Sequence, residues 1–301
     1  MTGRIVVGLD GSPNSTAAAR WAVAEARLRG AELEILTVFG ALSLADLPER
    51  PRVVSDEQVA DACARMQHEQ LAGISDRDVP VLTRTLRGDP AQRLVEASVD
   101  ADLLVVGARG HGGFADLLLG SVSLGCVHHA ACPVTVVPAY AAQAPPGAPV
   151  VVGVDGSPTG DRALKVAAEE AALRGTHLRA VHAVHWSSTG ADLVRPSRDE
   201  LVDWGTMLLD GALAPVEAEW PDLRCERSIV PGHAVQVLDA AARESALLVV
   251  GSRGRGRLAG RLLGSVSLHL VSHAHGPTTV VGPHRATTSR RSASPEGTAT
   301  R

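Results

Sequence analysis

The chain has 301 residues, 45% hydrophobic and 21% charged, a composition that supports a packed core and excludes a disordered chain. Its 29 Lys plus Arg against 33 Asp plus Glu leave a net charge of −4, so no overall positive field draws in nucleic acid or an anionic membrane. Two Phe, four Trp and one Tyr give almost no material for stacking single-stranded bases.

In chain order, residues 5–9 (IVVGL) form a β-branched run suited to a strand buried on both faces. A helix follows, capped by Asn14 or Ser15, burying Ala18, Trp21, Ala22, Ala26 and Leu28, and ended by Gly30. Next come a strand at 32–39, a variable loop, a helix at 56–74, a strand at 79–86 and a helix at 90–98. A strand at 103–106, a glycine-rich loop, a helix at 121–130 and a strand at 134–137 complete the series. Strands alternating with helices imply a parallel sheet with right-handed crossovers, an α/β layer fold.

The series occurs twice. RIVVGLDGSP at 4–13 returns as PVVVGVDGSP at 149–158, and LLVVGARGHGG at 103–113 returns as LLVVGSRGRGR at 247–257. Residues 107–138 and 251–282 share 19 of 32 positions without a gap. The chain therefore reads as two domains, 1–139 and 150–283, joined by the Ala/Pro-rich AAQAPPGAP at 141–149. The polar segment 284–301 lacks apolar periodicity and is expected to be a disordered tail.

The chemistry is concentrated in GARGHGGFADLLLGSVS. Gly107, Gly110, Gly120 and Ser121 have the spacing G-x2-G-x9-G-S, repeated by Gly251, Gly254, Gly264 and Ser265. The first two glycines let backbone approach a ligand, with positive φ open to them. Gly120–Ser123 and their counterparts Gly264, Ser265, Val266 and Ser267 open a helix, whose unpaired amides favour phosphate, with both hydroxyls nearby. Asp10 and Asp155 follow the first strand of each copy. Each suits a donor such as a ribose hydroxyl or an adenine amine, or an Asx turn before Gly-Ser-Pro; the two roles are compatible. A glycine loop opening a helix is also compatible with a plain tight turn, and two intact copies weigh against that reading.

The paired VVG-x-DGSP and G-x2-G-x9-G-S-V-S strongly resemble the universal stress protein family in its tandem, ATP-binding form. The resemblance spans residues 4–283. It implies two doubly wound, Rossmann-like domains, each a five-stranded parallel sheet of order 3-2-1-4-5. Gly8 and Asp10 would then flank adenosine and Val38 the adenine. Gly107, Ala108, Arg109, Gly110, His111, Gly112 and Gly113, with Ser121 and Val122, would hold the phosphates. In the second copy the same implication falls on Gly153, Asp155 and Ala183, then on Gly251, Ser252, Arg253, Gly254, Arg255, Gly256 and Arg257, with Ser265 and Val266. The second loop is the more basic, adding Arg255, Arg257 and Arg261 to Arg253, so the two sites need not be equal.

The expectation is ATP, with Mg, in two sites per chain, held in a regulatory or stress-adaptation role with little or no turnover. A slow nucleotide hydrolase or nucleotide-dependent signalling enzyme is the alternative, and an empty structural domain the third reading. No GxxxxGK[ST], GxSxG or kinase signature is present. His269 and His273 stand at i, i+4, but neither they nor His128, His129 and His275 complete a metal-ligand pattern. Cys63, Cys126, Cys132 and Cys225 lack CxxC spacing and are expected to be reduced thiols. With no span of 18 apolar residues and no signal-like start, the expected location is cytoplasmic. The final strands of the two halves are expected to pair within the chain as a pseudo-dimer, with homodimerisation of the whole chain a further expectation.

Overall fold

The computed structural model of the chain describes residues 3–40, 55–74, 78–110, 119–140, 144–184, 197–254 and 263–283. The tail expected at 284–301 lies outside them. The first half runs β1 (Arg4–Gly8), α1 (Pro13–Arg29), β2 (Glu32–Phe39), α2 (Asp56–Leu71), β3 (Val81–Arg87), α3 (Pro90–Ala97), β4 (Leu103–Gly107), α4 (Ser121–His129) and β5 (Val134–Val137). The second repeats it as β6 (Val150–Gly153), α5 (Pro158–Leu173), β7 (Leu178–Val184), α6 (Arg198–Glu219), β8 (Cys225–Pro231), α7 (Ala234–Ala242), β9 (Leu247–Gly251), α8 (Ser265–Ser272) and β10 (Thr278–Val281).

All the strands join in one sheet of order β3-β2-β1-β4-β5-β10-β9-β6-β7-β8. Each half is parallel with the expected order 3-2-1-4-5. The halves meet where β5 and β10 pair antiparallel, Thr135 opposite Thr279. The strand-end sites of the two halves therefore open toward opposite edges of the sheet. Pairing β1 with β4, Ile5 opposite Leu103, brings the Asp10 turn beside the glycine loop. The order of strand addition reverses between those two parallel strands, and ligands of open α/β sheets bind at such a point.

The continuous apolar strands are buried as parallel strands must be: Ile5, Val6 and Val7 are fully covered, as are Val150, Val151 and Val152. Burial of each such side chain is worth about 1.5–3 kcal/mol. Each half has its own core on the face bearing the first two helices. On the opposite face a single core runs from Val6 and Leu104 through Val136 and Val280 to Val151, uniting the two halves.

The helix starts differ from expectation. Ser12, not Asn14 or Ser15, caps α1, its Oγ accepting the Ser15 amide at 3.2 Å. Pro13 dictates this, because its fixed φ and missing N–H suit the first helical position and place the cap one residue earlier. Asn14 instead accepts the Ala139 amide at 2.8 Å. Gly30 ends the helix as expected, with φ 58°. Leu28 is 46% exposed and not on the buried face, whereas Glu25 is 1% exposed.

Glu25 is covered because α1 and α5 meet across the boundary between halves. Arg29 binds Glu25 at 2.6 Å and also Glu170, while Arg174 binds Glu170 and Glu25. The four side chains close an alternating ring, each half supplying one Glu and one Arg at i, i+4. Burial opposes the charge on Arg29, yet Glu170 and Glu25 hold its pKa above the ordinary arginine value. The Arg174 guanidinium also lies over the Trp21 ring, 6.0 Å from its centroid. Among the described residues no helix is long and apolar enough to cross a membrane.

Candidate functional site

In the first half the DGSP turn and the loop after β4 are built as one unit. The Asp10 carboxylate accepts the Ser12 amide at 3.0 Å, so the Asx turn forms. Gly11, with φ 88°, turns the chain. The Ser12 hydroxyl, besides capping α1, donates to the Arg109 carbonyl at 3.3 Å. Below it Gly107 passes so close to α1 that a Cβ would lie 2.7 Å from the Asn14 carbonyl carbon and 2.8 Å from the Ser15 nitrogen.

The second half repeats the arrangement with one variation. Asp155 accepts the Ser157 amide at 3.0 Å and the Ser157 hydroxyl at 2.6 Å. The Arg253 carbonyl takes its shorter bond from the Thr159 hydroxyl, at 2.6 Å. Gly251 packs on Thr159 as Gly107 packs on Asn14.

The loop glycines are required for space rather than for left-handed backbone. Gly107, Gly110, Gly251 and Gly254 are not among the positive-φ glycines, which corrects one reason expected for them. A Cβ on Gly110 would overlap Asp10 Oδ2, and one on Gly254 would lie 2.6 Å from Asp155 Oδ2. Each strand-end carboxylate therefore has its second oxygen packed against the glycine loop.

Past the loop, the Gly120 amide donates to the Ala108 carbonyl at 2.8 Å and the Gly264 amide to the Ser252 carbonyl at 2.7 Å, fixing the starts of α4 and α8 beside the strand ends. Neither Gly120 nor Gly264 supplies a side-chain cap, so the first amides of both helices face the cavity with the positive end of the dipole. Ser121 and Ser265 are exposed there. Ser123 and Ser267 are not: each is buried and donates its hydroxyl to the carbonyl of Gly107 or Gly251 at 2.6 Å. Their hydroxyls tie helix to strand, while the residues themselves remain in the cavity linings.

These parts enclose two cavities of about 380 Å³ each. Gly8, Asp10, Val38, Gly107, Arg109, Gly110, Gly120, Ser121, Val122 and Ser123 line the first. Gly153, Asp155, Ala183, Gly251, Arg253, Gly254, Gly264, Ser265, Val266 and Ser267 line the second. Ala108 and Ser252 line neither; both are buried at the strand ends. His111, Gly112, Gly113, Arg255, Gly256, Arg257 and Arg261 lie outside the described residues. Sequence reasoning missed the apolar wall, made by Leu36, Pro90 and Leu94 in the first cavity and by Val181, Ala234 and Leu238 in the second. Those residues have the periodicity of core positions, and nothing in the pattern separates a side chain facing a cavity from one facing a neighbour.

Each cavity is thus a slot with one apolar wall, a helix start rich in unpaired amides, an exposed serine, an arginine and one strand-end carboxylate. It suits a ligand with a flat apolar part, hydroxyl or amine donors and an anionic end. Among the described residues no group of three or more His, Cys, Asp or Glu is placed to hold a metal ion.

Comparison with known proteins gives consistent matches across the chain. The sequence profile of the universal stress protein family matches twice, at residues 1–138 and 148–282. A universal stress protein of Mycolicibacterium smegmatis is 34% identical over 288 residues, covering 93% of this chain and 97% of that protein. Universal stress protein Rv2005c of Mycobacterium tuberculosis is 35% identical over 287 residues, covering 92% and 96%. Among solved structures, a universal stress protein from Archaeoglobus fulgidus superposes with a TM-score of 0.64 at 21% identity, covering 93% of this chain and 96% of that one. That likeness concerns the fold.

Proposed function

The chain belongs to the universal stress protein family, and from that premise we propose that it is a regulatory protein binding ATP in both halves and retaining it with little turnover. One observation carries this reading: two cavities of equal size, built from equivalent residues, each set an uncapped helix start beside a strand-end aspartate. The volume lies within the range of small-molecule sites. Adenine fits the apolar wall between Val38 and Leu94, or between Ala183 and Leu238. Asp10 or Asp155 offers an acceptor to the nucleoside, and the amides opening α4 or α8 take the phosphates, on which Mg would be carried. Arg109 and Arg253 add positive charge at that end.

The carboxylates of the described linings support the reading of retention rather than turnover. Asp10 and Asp155 are the one carboxylate of each described cavity lining, and each already accepts an amide of its own turn at 3.0 Å. A carboxylate so engaged is a poor base for activating water. Stress adaptation in the cytoplasm is the setting proposed for this binding.

The test is release of bound nucleotide. Protein purified without added ligand and then denatured should liberate adenine nucleotide detectable by mass spectrometry, and calorimetry with Mg-ATP should give a stoichiometry near two. Absence of both signals refutes the reading. Turnover above about 1 per second, the low end of ordinary enzyme rates, would make the protein an enzyme instead.

A further inference from the structure

A third cavity, of about 670 Å³, lies between the halves next to the first site. Asn14, Arg109 and Tyr140 line it from the first half, and Arg243, His273 and His275 from the second. Arg109 lines both this cavity and the first nucleotide-sized slot, so the two spaces meet at its side chain. Tyr140 is 93% exposed. Asp239 holds Arg243 at 3.2 Å and His275 at 3.0 Å, orienting both side chains from one carboxylate. Arg243 and His273 follow the ends of α7 and α8, and the charge of Arg243 also answers the dipole of α7. The dipole accounts for the charge of Arg243; it does not account for the space between the two walls.

The repeat shows that this end of the interface is built differently from the other. Ala108 and Ser272 both line the cavity. Their equivalents in the repeat are Ser252 and His128, whose Oγ and Nε2 are buried. The large imidazole thus occupies the position that Ser272 leaves open. Arg243 and His275 likewise correspond to Val99 and Ala131, whereas Arg109 and His273 are matched by Arg253 and His129, so among the described residues the two ends differ in Arg243 and His275.

We propose that the first site, read as a nucleotide site in the preceding section, takes a dinucleoside polyphosphate. One adenosine fills the slot beside Val38 and Leu94. The polyphosphate passes Arg109, and the second half enters the interdomain cavity, its phosphates near Arg243 and His273 and its base against Tyr140. Phosphate pairs well with guanidinium, and an exposed tyrosine ring gives a base a stacking face at low cost in ordering. The second site, whose end of the interface lacks Arg243 and His275, takes a mononucleotide alone.

Calorimetry of the full chain with diadenosine tetraphosphate and, separately, with ATP tests this. One site should bind the dinucleotide at least about tenfold more tightly than ATP. The double variant Arg243→Ala, His273→Ala, altered outside both nucleotide slots, should lose that advantage and keep its ATP affinity. A dinucleotide bound no more tightly than ATP overturns the proposal, as does an advantage that survives in the variant. Failure of both ligands to bind refutes the nucleotide reading of the slot itself, and the ATP titration separates that result from the others.

Discussion

Thr135 and Thr279, equivalent residues of the two halves, share a hydrogen bond of 2.7 Å between their Oγ1 atoms. Both side chains are buried, at the centre of the antiparallel β5–β10 pair. Each hydroxyl has the other as its partner, so the contact lies on the pseudo-twofold axis relating the halves. Removing one hydroxyl and removing both should have different consequences. Thr135→Val leaves the Thr279 hydroxyl buried without its partner and should destabilise by about 1–3 kcal/mol, whereas Thr135→Val with Thr279→Val should restore most of the loss. Urea unfolding of the three proteins measures the difference, and additive losses would contradict the pairing.

The buried ring of Glu25, Arg29, Glu170 and Arg174 should be sensitive to the loss of any one member. Arg29→Met leaves two buried carboxylates sharing a single guanidinium and should cost about 3–5 kcal/mol. Replacing all four residues by apolar side chains of similar volume should recover much of it, because no unpaired charge then remains. Chemical denaturation of the single and quadruple variants checks both statements.

Gly110→Ala together with Gly254→Ala should weaken ATP binding by more than about tenfold, or 1.4 kcal/mol. The cause is displacement of the Asp10 and Asp155 carboxylates, which each new Cβ would crowd. Shortening the carboxylate should relieve the crowding, so Gly110→Ala should perturb the loop less in an Asp10→Ala background. Amide chemical shifts around Arg109 report the perturbation; equal shifts in the two backgrounds would place the crowding elsewhere.

Ser12→Ala removes the cap of α1 and the bond to the Arg109 carbonyl together. A lost cap alone destabilises by about 1 kcal/mol. The second bond adds a local effect: amide exchange in the loop after β4 should quicken more than exchange in α2. Uniform quickening would indicate the cap alone.

Cys126 and Cys132 should resist alkylation while the protein is folded. Burial pushes both thiols up to about 12, so at pH 8 almost no thiolate is present, and the thiolate is the reactive form. Iodoacetamide at that pH, read by peptide mass spectrometry, should modify Cys126 and Cys132 only after unfolding in urea.

The duplicated pattern by itself determined a great deal. Two copies of DGSP after a β-branched strand, and two of G-x2-G-x9-G-S, identify the parts of both cavities, because turns, strand ends and helix starts are set by local chemistry. Expectation failed where a residue's environment comes from distant chain. Glu25 and Arg29 have the spacing of an ordinary exposed helix pair; only the packing of α1 against α5 takes them out of water. Leu94 and Leu238 look like core residues, and only the arrangement of β1, β2 and α3 around them, or of β6, β7 and α7, turns them toward a cavity. Ser123 resembles Ser121 in the motif, yet the helical turn between N1 and N3 aims one hydroxyl at the strand and leaves the other exposed. The cavity between Arg109 and Arg243 had no trace in either repeat, since its walls come from residues 134 positions apart. Local sequence specifies backbone geometry within a few residues, whereas burial, ion pairing across halves and shared cavities exist only once the chain has closed its sheet at Thr135 and Thr279.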